Sequence, residues 1–250
     1  MHPVFIRIGN FVIYWYGILV AIALFISITL FEKECQKEGY NEKFISQLVF
    51  WTVFTGIIGA RFLHVLVNIF YYILHPIEII KIRNGGLAVE GAILFSLIFI
   101  VIFSKLKNFS SVKILDTMAI YVPLGQAIGR IGCFLNGCCY GKETEIFLGV
   151  KFPFLDKKVH PTELYYSFSY LILFLILKKF SKKVKKGEGY LFSSYLIGFS
   201  IIRYFIDFLR GDLKKTSFGL YPTQIIAILI FIIGGISIII KIIKKGEIRG

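Results

Sequence analysis

The chain has 250 residues, of which 56% are hydrophobic and 18% are charged. This composition excludes an ordinary water-soluble globular protein and is typical of a chain that crosses a lipid bilayer several times. The formal net charge of +14 would suit a protein that binds nucleic acid, but the basic residues cluster at the ends of apolar segments, so we predict no nucleic-acid partner.

Apolar segments of membrane-spanning length recur along the whole chain. Crossing about 30 Å of hydrocarbon requires about 20 helical residues, and the segments of this length predict an all-α bundle of seven transmembrane helices in one domain, residues 1–250. We expect the spans at about 11–31, 44–70, 86–104, 112–134, 161–180, 189–210 and 218–243, with an outer-face segment at 135–160. We predict neither a separate soluble domain nor a cleavable signal peptide.

Lysine and arginine indicate the orientation of these spans. Both residues are more frequent after the first, third and fifth spans and in the C-terminal tail, and such an excess marks the cytoplasmic side. The heaviest single contribution is the run Lys178, Lys179, Lys182, Lys183, Lys185 and Lys186. We therefore predict that the N-terminus is outside and the C-terminus is cytoplasmic.

Charged residues inside the spans then fall at one depth. Arg61, Arg130 and Arg203 lie in the outer parts of spans two, four and six, and Glu90 lies at the outer start of span three. Tyr16 opens span one at the same level. Because intramembrane charges are costly and usually face a functional cavity, we predict an anion-binding site in the outer half of the membrane.

Span six carries the most specific spacing. Arg203, Asp207 and Arg210 are four and three residues apart, so they share one helix face. One interpretation is a salt bridge that only lowers the cost of burying an arginine. The other is an arginine that Asp207 orients toward phosphate, for which the guanidinium fork is suited, with Arg130 as a second arm. At this depth the anion would be a phospholipid.

Glu90 also leaves two interpretations open. It can pair with Arg61 or Arg203 in a structural role, or it can be a desolvated carboxylate that abstracts a proton.

Three of the four cysteines form a C-x4-C-C cluster on the outer side: Cys133, Cys138 and Cys139. Oxidation is feasible on that side, so a disulfide stays open as an interpretation. The spacing does not match the common zinc motifs, and we predict no metal site. Packing as small apolar residues is the default interpretation.

Five motifs, in order along nearly the whole chain, resemble those of bacterial prolipoprotein diacylglyceryl transferases. The most specific is GRIGCFLNGCCYG at residues 129–141. The others are His2-Pro3 with YWYG at 14–17, GGL at 85–87, HPTELY at 160–165 and RYFIDFLR at 203–210.

The resemblance implies a multi-pass enzyme of the bacterial cytoplasmic membrane with its active site toward the outer leaflet. Such an enzyme transfers the diacylglyceryl group of phosphatidylglycerol to the lipobox cysteine of a preprolipoprotein, forms a thioether and releases glycerol phosphate. Neither a metal nor an organic cofactor is implied. The candidate catalytic residues are Arg130, Arg203, Glu90 and Tyr16, and the candidate phosphatidylglycerol-binding residues are Arg130, Arg203, Asp207, Arg210, Arg61 and Gly141.

Three positions depart from the family pattern. Glu90 stands where a histidine is usual, Cys133 where an asparagine is usual, and Cys138 where a glutamate is usual. Glu90 could replace the histidine as the base, or the protein could use another acceptor or donor lipid.

The rival functions are a non-catalytic or divergent protein that binds anionic lipid, a transporter of an anionic solute, and an outward-facing thiol redox protein.

Overall fold

A computed structural model describes residues 3–9, 11–81, 85–217 and 219–247 of the chain. His2 of the first motif lies outside the described residues. An antiparallel hairpin, β1 (Val4–Ile8) and β2 (Phe11–Tyr14), precedes helices α1 (Trp15–Lys37), α2 (Glu42–Val67), α3 (Ile69–Leu74), α4 (Val89–Leu106), α5 (Ser111–Asn136), α6 (Thr162–Phe180), α7 (Tyr190–Asp207) and α8 (Pro222–Glu247), with a 3-10 turn at Pro76–Ile79.

Five of the described helices are long and apolar enough to cross a membrane: α1, α2, α4, α5 and α8. This finding supports the prediction of a multi-pass, mainly helical membrane protein. Helices α6 and α7 have 19 and 18 residues, and their charged side chains include Glu163, Arg203 and Asp207.

The start of the chain differs from the expected first span. The sequence predicts that this span begins near residue 11, whereas residues 11–14 form β2 and the helix begins at Trp15. Val4 lies opposite Tyr14 in the hairpin, and the Trp15 amide donates to the Pro3 carbonyl at 3.0 Å. β-Branched and aromatic residues favour a strand at this position, which the apolar pattern alone does not distinguish from a helix.

The chain forms two compact units, residues 32–111 and residues 1–31 with 112–250. In the unit of residues 32–111, α2 and α4 approach closely through small residues. A Cβ on Gly91 would lie 2.3 Å from the Gly59 carbonyl oxygen, and a Cβ on Gly59 would lie 2.4 Å from Phe95. Small residues at such a crossing allow backbone contact between apolar helices.

In the other unit, a buried acidic residue holds the start of α7. The Asp116 carboxylate accepts hydrogen bonds from the amides of Gly187, Gly189 and Phe192 at 2.9, 2.8 and 2.9 Å. It therefore satisfies amides that a helix leaves unpaired at its N-terminus. This explains why a span otherwise made of apolar residues contains an aspartate.

Candidate functional site

A fully buried carboxylate, Asp207 at the end of α7, is the centre of the site. Tyr166 and Thr223 each donate a short hydroxyl hydrogen bond to it, one to each carboxylate oxygen. Arg203 and Arg210 lie 3.7 and 3.9 Å from the same carboxylate. Buried charges require this kind of pairing. Arg203 and Asp207 share one face of α7, but α7 ends at Asp207 and Arg210 lies after the turn that follows, so the expectation that all three share one helix face is wrong for Arg210.

Arg130 joins this cluster through an aromatic ring. Its guanidinium carbon lies 4.2 Å from the ring centroid of Tyr166, within the range of a cation–π interaction. Because the Tyr166 hydroxyl donates to Asp207, one side chain connects Arg130 on α5 with the arginine–aspartate cluster on α7. The structure thus brings Arg130, Arg203, Asp207 and Arg210 together.

The Arg130 guanidinium has no ion pair and no hydrogen-bond acceptor among the residues that the structure describes. The Glu163 carboxylate lies within electrostatic reach of it but does not pair with it. A partly buried guanidinium that rests only on an aromatic face keeps its N–H groups available for an anion.

Arg210 is already held by a residue that the sequence analysis did not select. Its Nε donates to Oδ1 of Asp212 at 2.8 Å, and a second nitrogen pairs with Oδ2. This bidentate pair fixes the guanidinium plane. In this structure Arg210 therefore orders the end of α7, and its predicted contact with phospholipid stays a prediction.

Backbone hydrogen bonds join three of the sequence motifs at Gly141. The Gly141 amide donates to the His160 carbonyl at 2.8 Å, and the Lys142 amide donates to the Leu209 carbonyl at 2.7 Å. A Cβ on Gly141 would lie 2.5 Å from the His160 Cβ and 2.8 Å from the Leu209 carbonyl oxygen. Only glycine allows these segments to meet this closely.

Tyr16 lies beside this assembly, in the first turn of α1. It interacts electrostatically with Arg130 and with Cys133, Cys138 and Cys139. With Asn136 and the end of β2, it lines a cavity of about 470 Å³. Gly132 permits this arrangement, because a Cβ there would already touch Tyr16 and Leu19 at 3.4 and 3.3 Å.

The three cysteines converge at the end of α5. Their sulfur atoms all lie within 4.8 Å of one another, and the Cys138 thiol donates to the Cys133 carbonyl at 3.6 Å. Hydrogen bonds from Cys133 and Cys138, together with Arg210 and Arg130, lower the pKa of the Cys139 thiol below its usual range. Cys139 is therefore the thiol of this cluster at which negative charge is stabilised.

Glu163 is a further buried group that the sequence analysis treated only as part of a helix start. Its side chain is fully buried, and neither carboxylate oxygen has a hydrogen-bond partner among the described residues. It lies within electrostatic reach of Cys139, Arg130 and Arg210. An unpartnered buried carboxylate is rare in folded proteins, so Glu163 is a further candidate residue of the site.

Arg61 and Glu90 belong to the unit of residues 32–111. Arg61 donates to the Ile79, Gly85 and Gly86 carbonyls at 2.8, 2.9 and 2.9 Å, and also to the Glu78 carbonyl. Glu90 is exposed in the first turn of α4. The contacts of Arg61 are structural, and the roles of both residues at the substrate stay predictions.

Tyr166, Asp212 and Thr223 are not among the site residues predicted from the sequence. Tyr166 directly follows the HPTELY motif, and Asp212 is two residues beyond Arg210. Both positions were accessible from the sequence as neighbours of a motif. Thr223 had no such signal, because it contacts Asp207 only through the packing of α8 on α7.

Comparison with known proteins gives a family match over most of the chain. Residues 3–240 match the family model described as prolipoprotein diacylglyceryl transferase. Proteins named phosphatidylglycerol–prolipoprotein diacylglyceryl transferase are similar to this chain in Clostridium tetani (37% identity over 240 residues, 94% of this chain and 95% of the relative) and in Finegoldia magna (35% over 239 residues, 94% and 95%). The protein of that name in Clostridioides difficile is 35% identical over 235 residues, which cover 94% of this chain and 93% of the relative.

Proposed function

Because the chain belongs to the prolipoprotein diacylglyceryl transferase family, we propose that it transfers the diacylglyceryl group of phosphatidylglycerol to the lipobox cysteine of preprolipoproteins. A thioether forms between the cysteine sulfur and the glyceryl carbon, the bond from that carbon to the phosphate oxygen breaks, and glycerol phosphate leaves. The reaction needs a cationic site for the phosphate and a thiolate nucleophile.

The unpaired Arg130 guanidinium carries this proposal. It is fixed on the Tyr166 ring but has no acidic partner among the described residues, so its N–H donors are free to bind the donor phosphate. Arg203 supplies the second arm, since its single carboxylate contact at 3.7 Å leaves other N–H groups unused. Negative charge grows on the phosphate as the C–O bond breaks, and both guanidinium groups stabilise it.

Asp207 and Arg210 act in this proposal as positioning residues. Asp207 holds Arg203 and, through Tyr166, the surface on which Arg130 rests. Gly141 keeps the GRIGCFLNGCCYG and RYFIDFLR motifs in contact. Tyr16 borders the cavity of about 470 Å³, which would admit the acceptor peptide. Glu90 and Arg61 remain candidates for the base and for a further lipid contact.

The membrane arrangement belongs to the same proposal. We infer seven spans, α1, α2, α4, α5, α6, α7 and α8, in the cytoplasmic membrane, with the N-terminus and the arginine cluster toward the outer leaflet. Helices α6 and α7 carry Glu163, Arg203 and Asp207, and charged side chains inside a span are expected to face an internal polar site.

A direct assay tests the transfer. Purified protein is mixed with phosphatidylglycerol and a lipobox peptide, and the mass of the peptide is measured by mass spectrometry. The expected result is a gain of one diacylglyceryl unit, reduced by about 100-fold or more in Arg130→Ala. Lys157→Ala is the control, because Lys157 is an exposed basic residue in the segment after α5 that pairs with Glu143.

Two outcomes separate the proposal from its rivals. Peptide that gains no lipid, while phosphatidylglycerol still binds in an Arg130-dependent manner, would favour a lipid-binding protein without this acceptor. If neither transfer nor lipid binding occurs, the transporter of an anionic solute becomes the better hypothesis.

A further inference from the structure

The thiol cluster Cys133, Cys138 and Cys139 has the geometry of a metal site. Its three sulfur atoms lie within 4.8 Å of one another. Two sulfurs bound to one tetrahedral zinc ion lie about 3.8 Å apart, because each Zn–S bond is about 2.3 Å long. Side-chain movements of about 1 Å would therefore complete three zinc–sulfur bonds.

A turn with two left-handed residues brings the three sulfur atoms together. Gly137 has φ +72° and Cys139 has φ +68°, both in the left-handed region, and the Cys138 amide donates to the Cys133 carbonyl at 3.2 Å. A non-glycine residue in that region is uncommon. The turn directs Cys138 and Cys139 back toward Cys133, which lies in the last turns of α5.

Two arginines near the cluster can offset the negative charge of a zinc–thiolate group. Arg210 and Arg130 both interact electrostatically with Cys139, and thiolates are the form that binds zinc. Three thiolates around one Zn²⁺ leave a single net negative charge, which these arginines offset. The Thr162 hydroxyl donates to the Cys139 carbonyl at 2.6 Å and fixes the cluster against α6.

We propose that Cys133, Cys138 and Cys139 hold one Zn²⁺ ion, and that its open fourth position binds the thiol of the acceptor cysteine as a thiolate. Three protein ligands and one open position are the arrangement of a catalytic zinc ion. A thiol that coordinates zinc is deprotonated outright. The second half of the proposal rests on the transferase function proposed above.

The position of the cluster suits this chemistry. Cys133 lies one helical turn beyond Arg130 on the same face of α5, so a zinc-bound thiolate would lie beside a donor phosphate held by Arg130. The cavity next to the cluster is lined by Tyr16 and Asn136. Asn136 also interacts with the neighbouring Cys138 thiol, so the cavity wall adjoins the cluster.

The transfer step balances without an oxidant or reductant. The acceptor sulfur attacks the glyceryl carbon, the new S–C bond forms, and the C–O bond to phosphate breaks with its electron pair on the leaving oxygen. The proton lost from the acceptor thiol ends on the released glycerol phosphate. Zinc would thus activate the thiol in a chain where Glu90 stands in place of the histidine usual in the family.

The first test measures metal rather than activity. The protein is purified under reducing conditions without chelators, and zinc is quantified by mass spectrometry and by titration with ZnCl₂ against a chromophoric chelator. The expected result is about one Zn²⁺ per chain for the wild type and for Cys35→Ala. The paired variant Cys138→Ala/Cys139→Ala is expected to lose the ion, while its Arg130-dependent binding of phosphatidylglycerol shows that it is folded.

The second test asks whether the acceptor binds the metal. Cobalt replaces zinc as a coloured probe, and a lipobox peptide is added. The thiolate-to-cobalt absorption is expected to grow with a cysteine peptide and to stay unchanged with the matched serine peptide. An unchanged spectrum with both peptides would overturn the role of the fourth position.

The pH dependence of transfer gives a third readout. A free thiol has a pKa of about 8.5, so protein stripped of zinc is expected to transfer more slowly at pH 7, by about 30-fold, and to recover the rate as the pH rises. Restored zinc is expected to remove this dependence.

Three results would overturn the proposal while leaving the transferase function intact. The reduced wild type could fail to bind zinc, the stripped enzyme could work at the full rate, or mass spectrometry without reductant could show a disulfide between two of the three cysteines. Zinc bound by the wild type together with absence of transfer would instead contradict the proposed function.

Discussion

The Arg130 guanidinium lies on the face of the Tyr166 ring, 4.2 Å from its centroid, while the hydroxyl of that ring donates to Asp207. Tyr166 therefore makes two contacts in different directions, one through its π-face and one through its oxygen. Arg203 and Arg210 lie within 4 Å of the same carboxylate. The position of the unpaired arginine is thus coupled to the paired ones through one side chain.

Replacing Tyr166 separates its two contacts. Tyr166→Phe keeps the ring beneath Arg130 and removes the donor to Asp207, which costs about 1–3 kcal/mol because a buried carboxylate oxygen loses its partner. Tyr166→Leu removes both contacts, so the loss of transfer activity is expected to be larger. Thermal unfolding and transfer rate are measured together. Equal rates for the two variants would show that the ring face does not position Arg130.

A second prediction concerns two glycines of one motif. Gly141→Ala places a Cβ 2.5 Å from the His160 Cβ and 2.8 Å from a backbone carbonyl, so we expect a destabilised protein with little activity. Gly129→Ala is the matched control, because nothing lies within 4 Å of a Cβ there and alanine is about 1 kcal/mol better than glycine within a helix. Its stability is expected to rise or stay equal. A stable Gly141→Ala protein would contradict the close approach of the three segments.

The sequence predicts the arginine cluster well because its members are local. The four-residue spacing of Arg203 and Asp207 sets one face of α7, whereas Arg210 lies beyond the end of that helix. Both arginines lie within 4 Å of the Asp207 carboxylate. Thr223 and the bidentate Asp212 depend on how α8 and the loop after α7 pack, and no periodic pattern encodes those contacts. The cysteine spacing matches no common zinc motif, because the sulfurs meet through two left-handed turn residues, Gly137 and Cys139, rather than through a C-x2-C pair.

Membrane orientation can be checked independently of activity. A fluorescent protein fused after residue 250 is expected to fluoresce, because the lysine-rich segments indicate a cytoplasmic C-terminus. Alkaline phosphatase inserted at Lys157, on the 135–160 segment, is expected to be active, since that enzyme requires the oxidising outer compartment. The reverse pair of results would invert the proposed topology and move the arginine cluster to the inner leaflet.

The last prediction separates a structural role of Arg61 from a role at the lipid. Its guanidinium donates to four carbonyls, those of Glu78, Ile79, Gly85 and Gly86, and lysine cannot donate to so many in one plane. Arg61→Lys is therefore expected to destabilise the fold by about 2 kcal/mol and to speed amide hydrogen exchange around residues 78–81, while phosphatidylglycerol binding stays within about twofold. Arg203→Lys is the matched comparison and is expected to weaken lipid binding instead, because a bidentate phosphate contact is lost. If Arg61→Lys weakened lipid binding without changing exchange, Arg61 would belong to the phosphate site that its position in the sequence suggests.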